Sequence, residues 1–396
     1  MSLKSFEVEV NPSVLKWARE SFGLEIEDAA KKLKISIEDV LALENGRKIP
    51  RLSQLKILSD FYKRPLAAFL LPEPPEEYRP KDFRIIYEVP APKLTKKSLL
   101  AIRKAIRLQF IAKELLNMLD YKITAKFTNA DLTMNPETLA THERERLGID
   151  VKQIKSKDPN RVFEHWRTTL ETQNIFTFIF SMPKKEVRGF SLLNDNPATI
   201  VVNKSDAPNA KIFTLFHEYA HLTLKQTGVC MPDAVSEITG KSDDSRIEYF
   251  CNQFAGSFLV PSEHLKNITE LKTIKESGHA PDDFLLNQIA EKFITSKEVI
   301  LRRLLAIGAI SFEQFQEKKA EWEQMQWPES KKFLKKQSPI KKAIIENGYL
   351  FTSLVLRAND IGKINFSNVS DFLSIPVNLL DGLRSHMISS SLTTAQ

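Results

Sequence analysis

Apolar and polar positions alternate along this chain in two rhythms. From Pro12 the apolar residues recur at helical spacing: Val14, Leu15, Trp17 and Ala18 form one stripe, with Pro12 at a helix start and Gly23 closing the segment. Ile26, Ala29, Ala30 and Leu33 form the next. Ser36 predicts an N-cap for a helix over 37–44, with Asp39 three residues on as its capping-box partner and Asn45-Gly46 as its stop. Leu52, Leu55, Leu58 and Phe61 mark a fourth helix. Leu99, Ile102, Ile106, Phe110, Ile111 and Leu115 predict a long one over 97–119. The rhythm then changes. Residues 174–180 (NIFTFIF) and 198–203 (ATIVVN) are short β-branched and aromatic runs that predict strands. Between them, Arg188-Gly189-Phe190 reads as a turn into a further short strand. Helical spacing resumes at Lys211. This order predicts a mainly α chain with a small α+β core, an all-α N-terminal unit and a helical C-terminal region, not an alternating α/β sheet.

Prolines place the boundaries. Pro72, Pro74, Pro75 and Pro80 fall in LPEPPEEYRPKDFR, which cannot continue a helix and reads as a stiff linker. A weaker break lies at the Lys-rich stretch Pro328–Lys342. The expected division is 1–72, a linker at 73–96, 97–325 and 326–396. A length of 396 residues suits several domains, and 42% hydrophobic with 27% charged residues is ordinary for a globular protein. No apolar run approaches the roughly 18 residues of a spanning helix, so no membrane partner is expected. The first residues carry Glu7 and Glu9 and no apolar core, unlike a secretory signal. With two cysteines a disulfide framework is excluded, and a reducing cytoplasm is the expected location.

The candidate chemistry centres on His217-Glu218-Tyr219-Ala220-His221. Two histidines four apart share one helix face and can reach one metal ion, while Glu218 lies near that ion without being tied to it, as a general base for its water must. Phe213, Leu215, Phe216 and Leu222 make this a core helix. A tetrahedral catalytic site needs a third protein ligand. Glu248 is the first candidate, on a helix whose neighbours Phe250, Phe254, Phe258 and Leu259 predict burial, and a buried carboxylate wants a partner. Asp243, Asp244 and Glu237 are the alternatives. Asn252, on the same face as Glu248, could hold a ligand histidine through its free ring nitrogen. His142, His165, His264, His279 and His386 are scattered. Cys251 suits a small buried thiol better than a cysteine nucleophile, and Cys230 has no evident base.

The chain resembles the ImmA/IrrE family of metallopeptidases. The resemblance runs through Trp166 and Glu171, Arg188-Gly189-Phe190-Ser191, Ile200 to Asn203, FTLFHEYAH, Glu248-x3-Asn252-x-Phe254-Ala255 up to Pro261, and Ile289-Ala290-x2-Phe293 to Arg303-Leu304. It covers roughly residues 80–310. It implies a gluzincin-like, zincin-type core with His217, His221 and Glu248 as ligands, Glu218 as base and Zn²⁺ as the ion, Mn²⁺ or Fe²⁺ also suiting the donors. It further implies an endopeptidase whose substrate is a helix-turn-helix repressor of Xre type, switching on a stress-response or mobile-element regulon. Gly256 and Val260-Pro261 depart from the usual Ala and Met-Pro at packing positions. Ile200–Asn203, just ahead of the active helix, is expected to pair with substrate backbone by strand addition.

The N-terminal unit resembles an Xre-type helix-turn-helix, through Ala29-Ala30, Leu33, Ser36 to Gly46 and Ile49-Pro50. Its reading helix opens with Ser36, Ile37, Glu38 and Asp39, where Arg, Lys, Asn or Gln would read bases. Lys31, Lys32, Lys34, Ser36, Arg47, Lys48 and Arg51 are the candidate DNA contacts, the cations through backbone phosphates. Residues 1–72 hold 12 Lys+Arg and 10 Asp+Glu. Residues 331–396 hold 9 and 4, densest at Lys331, Lys332, Lys335, Lys336, Lys341 and Lys342. Residues 287–305 and 365–383 also resemble helix-turn-helix pieces and read as packing units. The rival reading is a DNA-binding regulator or antitoxin-like protein, with a cognate toxin-like partner held by the zincin-like domain. The oligomeric state is left open.

Overall fold

The computed structural model describes residues 6–75, 94–149, 156–193, 197–225, 229–230, 243–324 and 337–394. Most of the expected linker, the loop from Thr227 to Asp244 apart from a short strand and the helix start, and the basic run Lys331–Lys336 lie outside these. The chain divides into two compact units, residues 1–102 and 103–396.

The first unit contains α1 (Pro12–Glu20), α2 (Ile26–Leu33), α3 (Ile37–Glu44), α4 (Leu52–Tyr62) and a 3-10 turn at Leu66–Leu70. Asn11 caps α1, and Ser36 Oγ accepts the Asp39 amide as the cap of α3. Leu15, Ala18, Phe22, Ala29, Val40, Leu55, Leu58 and Phe69 fill the core. One ion pair is buried beneath them. Arg19 Nε and Nη2 donate to the two Glu44 carboxylate oxygens at 2.7 and 2.8 Å, and its Nη1 donates to the Leu24 carbonyl at 2.8 Å. This fork ties α1 to the end of α3. The α2–α3 corner runs through Lys34 at φ 58°, and the Ile35 amide reaches back to the Ala30 carbonyl at 3.1 Å.

Helix α5 (Lys96–Met118) leads into the second unit, where α6 (Pro136–Arg146) and α7 (Pro159–Thr172) precede a small sheet. The strands are β1 (Phe176–Phe180), β2 (Gly189–Leu192), β3 (Thr199–Asn203) and β4 (Val229–Cys230), in the order β1-β3-β2-β4. β1 and β3 run parallel, and β2 is antiparallel to β3 and β4. The first three strands are buried at every residue, which is why their sequences are continuous apolar runs and not alternating ones. Asn203 closes the end of the sheet. Its amide donates to the Met182 and Val187 carbonyls, and its oxygen accepts the Met182 and Ser205 amides. The strand positions expected from sequence stand. The expected substrate pairing along Ile200–Asn203 does not, because β3 is hydrogen-bonded on both sides, to β1 and to β2. An added strand needs a free edge, and an inner strand has none.

Helix α8 (Pro208–Thr223) follows β3 and α9 (Asp243–Leu259) lies beside it. After these come α10 (Ser262–Lys266), α11 (Glu270–Ser277), α12 (Asp283–Phe293), α13 (Lys297–Ala306), α14 (Phe312–Gln324), α15 (Pro339–Asn347), α16 (Tyr349–Asp360), α17 (Phe366–Leu373) and α18 (Leu380–Thr394). Trp166, Phe216 and Phe258 meet in the core, Trp166 edge-on to both phenylalanines and Phe216 and Phe258 stacked with centroids 4.0 Å apart. The departure at Gly256 has a packing reason. A Cβ there would meet Arg303 Cδ at 3.1 Å, and this arginine crosses to the Val260 carbonyl at 2.9 Å.

The C-terminal helices are seated on α7 and β1 by another buried ion pair. Arg167 and Glu171, one turn apart on α7, meet at 3.2 Å. Glu171 accepts the amides of Tyr349 and Leu350, the first turn of α16, at 2.9 and 3.0 Å. Arg167 donates to the Ile345 carbonyl, in the last turn of α15, at 2.7 Å. Each charge therefore faces the helix end of opposite dipole sign. Gly348 stands between the two helices at φ 79°, and a Cβ there would lie 2.3 Å from Glu171 Oε1. No other residue fits that position without strain.

Candidate metal centre

Helix α8 is anchored before it does any chemistry. Its Tyr219 hydroxyl donates to the fully buried Glu143 of α6, which Thr128 and the Arg146 guanidinium also hold. Arg146 Nη2 reaches the Tyr219 hydroxyl as well, at 2.7 Å. Tyr219 projects away from the His217–His221 face, so this network fixes the rotation of the helix. On the other side β2 lies directly against it. A Cβ at Gly189 would sit 2.4 Å from Thr214 Cγ2 and 3.3 Å from Glu218 Cγ, so only glycine allows the approach.

His217 and His221 are buried and turn toward each other, with their Nε2 atoms 3.2 Å apart. Glu248 on α9 completes the group. Its Oε2 is 3.2 Å from His217 Nε2 and its Oε1 is 3.2 Å from His221 Nε2. Tetrahedral ligands about 2.0 Å from an ion sit about 3.3 Å from one another, so this separation fits a shared ion. Among the described residues this trio is the one His/Cys/Asp/Glu group with metal-holding geometry. The side chains of the alternatives Asp243, Asp244 and Glu237 lie outside the described residues, as does that of Cys230.

The electrostatics of the group favour a cation. Burial alone would raise the Glu248 carboxyl, yet the two imidazoles hold it well below the usual carboxylate range, so it is a carboxylate. Burial disfavours charge on His221, but Cys251 and Glu248 outweigh it and favour positive charge there. An environment that attracts a proton to that spot attracts a metal ion to it. His217 Nδ1 meets Asn252 Oδ1 at 3.0 Å, the contact expected of an outer residue orienting a ligand histidine.

Glu218 is fully buried, and neither carboxylate oxygen has a hydrogen-bond partner among the described residues. Burial pushes its carboxyl up to about 7, with Glu248 adding to the push and His221 and His217 pulling against it. A lone carboxylate at that value, beside a cation-binding trio, is matched to proton transfer near neutral pH. Cys251 is the small buried thiol expected, and it also stands beside His221, where it favours positive charge. No spacing signal announces that neighbourhood, because Cys251 lies between two motif residues.

The candidate DNA contacts Lys31, Lys32, Lys34, Ser36, Arg47, Lys48 and Arg51 are all exposed. Lys48 pairs with Asp39, and Lys32 lies 5.5 Å over the Phe61 ring. Ser36 is occupied as the α3 cap. The outer face of α3 offers Ile37, Glu38 and Leu41.

Comparison with known families agrees with both modules. Residues 170–305 match the IrrE N-terminal-like domain, a peptidase family, and residues 15–69 match the helix-turn-helix family. The chain carries both domains. Their order is that of an ImmA/IrrE protein with an Xre-type helix-turn-helix. The matched peptidase segment spans β1 to α13, and so includes His217, Glu218, His221, Glu248 and Asn252. No curated protein matches the chain. Among the described residues no helix is long and apolar enough to cross a membrane.

Proposed function

We propose that this chain is a metal-dependent endopeptidase acting in a reducing cytoplasm on a helix-turn-helix repressor of Xre type, and that cleavage switches on a stress-response or mobile-element regulon. The observation that carries the reading is the convergence of His217, His221 and Glu248 beside the buried, unpartnered Glu218. A divalent ion held by these three, Zn²⁺ by its preference for two imidazoles and a carboxylate and Mn²⁺ as the alternative, supplies an acidified water and a polarised carbonyl. Glu218 takes the proton of the attacking water and passes it to the leaving amine. Asn252 holds the His217 ring so that Nε2 points at the centre. The apolar wall of α8 and α9 excludes bulk water, which strengthens each of these interactions. With β3 enclosed, substrate backbone has only the outer strands of the sheet to join.

The test compares wild type with Glu218→Gln for metal content and for cleavage of Xre-type repressors. Metal in both with cleavage by wild type alone supports the enzyme. Metal in both with cleavage by neither would leave ahead the regulator or antitoxin-like reading, which the helix-turn-helix match favours.

A further inference from the structure

A broad concavity in the second unit lies outside the candidate metal centre. It is a groove of about 2260 Å³ between α7, the segment after β3, and α15, α16 and α18, and none of the proposed metal ligands lines it. Pockets for small molecules are roughly 300–1,000 Å³, so this one suits an elongated occupant.

Its walls are basic. Arg161, Lys204, Lys211, Lys341, Lys342, Arg357 and Arg384 stand against four carboxylates. Three of those carboxylates are already answered. Glu346 lies 3.1 Å from Lys204 and 3.9 Å from Lys104, Asp360 lies 2.9 Å from Arg384, and Glu164 lies 3.8 Å from Arg167. Lys341, Lys342 and Arg357 are exposed and make no ion pair among the described residues. The field is felt nearby. Burial lowers the Lys104 ammonium below its ordinary value, and although Glu346 resists this, Lys342, Arg107 and Lys204 push the same way as burial. The basic stretch singled out in the sequence therefore ends in a structured cationic wall.

The lining between the cations is aliphatic. Ile179, Ile344, Ile345, Leu356, Met387 and the 63% exposed Ile388 contribute to it. Glutamates flanking a row of leucines answer both features.

We propose that this groove is a docking site for an acidic amphipathic helix of a partner protein, laid with its apolar face on Ile345, Met387 and Ile388 and its carboxylates toward Lys341, Lys342 and Arg357. Docking does not require peptide-bond cleavage, so it stands or falls separately from the proposed activity.

The test uses the full chain carrying Glu218→Gln and a fluorescein-labelled synthetic helix with leucine on one face and glutamate on the other. Anisotropy should show binding that weakens as salt rises and that a scrambled peptide of equal composition does not reproduce. Lys341→Glu with Lys342→Glu should weaken it about tenfold or more, because attraction becomes repulsion. The same reversal at Lys184 and Lys185, exposed outside the groove, should change it little. Should the reversed chain melt early, Lys341→Gln with Lys342→Gln serves instead, with roughly a threefold loss expected. Equal binding of the scrambled peptide, equal loss from the two reversals, or displacement of the peptide by oligothymidylate at lower concentration would overturn the proposal.

Discussion

The metal centre and the helix-turn-helix unit were both announced by motifs, and they have fared differently. In the metal centre every residue singled out by spacing arrives at one point, although His221 and Glu248 are 27 residues apart. In the helix-turn-helix unit the fold is complete, but of the residues that would use it Lys48 is paired with Asp39 and Ser36 is engaged as the α3 cap. A ligand set is a distance constraint, so a motif that names it also names its geometry. A helix-turn-helix motif names a corner and a core, and the reading face is free to vary. The rest of the chain makes the same point. Corners with a left-handed, non-glycine residue occur at Lys34, Lys63, Ile294 and Ser374, each with the next amide reaching back five residues. Lys63 follows α4, and the last two sit in the segments that resemble helix-turn-helix pieces. The corner is a way to pack helices, and it does not by itself imply DNA.

The comparison can be broken most directly at Glu218. Glu218→Gln should lower cleavage by about 10²–10⁴-fold while metal content stays near that of wild type. Loss of metal in that variant would mean the side chain is a ligand after all. Next in size are the donors. Replacing His221 or Glu248 by alanine should leave the purified chain without stoichiometric metal, and Asn252→Ala should weaken metal binding by about 10–100-fold, read by competition with a chelator. An Asn252→Ala chain with unchanged affinity would reduce that contact to packing.

On the other side of the comparison, Glu44→Ala strands the buried Arg19 and should cost the first unit about 3–5 kcal/mol, seen as loss of its unfolding transition. Reversal of Lys31 and Lys34 to glutamate in the full chain should change duplex binding about equally for every sequence, as loss of phosphate contacts would. Sequence-specific binding lost on that change would restore the DNA-reading role. Gly348→Ala should destabilise the second unit by about 2–4 kcal/mol through strain and collision with Glu171.

The smallest effect is acid sensitivity. Glu143 is held below the usual carboxylate range. Burial opposes this, but Arg146, Thr128 and Tyr219 outweigh it. The Glu137 carboxyl is likewise lowered, through Ser262 and Arg303 against burial, and Asp283 is lowered to about 2 with Lys297, Trp322 and Lys318 overcoming burial. A lowered folded value stabilises above the unfolded pKa and is lost as pH falls through the folded one. Melting temperatures of the second unit should therefore drop as pH falls below about 4. Glu143→Gln should flatten that slope, and an unchanged slope would count against Glu143 as a contributor.

Much of this protein was legible in its residues. The strands at 174–180 and 198–203, the helix start at Pro12, the cap at Ser36, and the His217–Glu218–His221 helix are local patterns, set by hydrogen bonding and periodicity over a few positions. Glu248 was legible as well, because a carboxylate among phenylalanines needs a partner. What the sequence could not decide depends on which elements become neighbours. That β3 lies inside the sheet, closed to substrate, follows from where β1 and β2 pair with it. That Gly189 must be glycine follows from a helix crossing it 25 residues later. Arg167 and Glu171 look like an ordinary pair one turn apart on a helix. Only the tertiary structure shows them gripping the ends of α15 and α16, since the energy of a charge depends on what surrounds it in space and not on what precedes it in the chain.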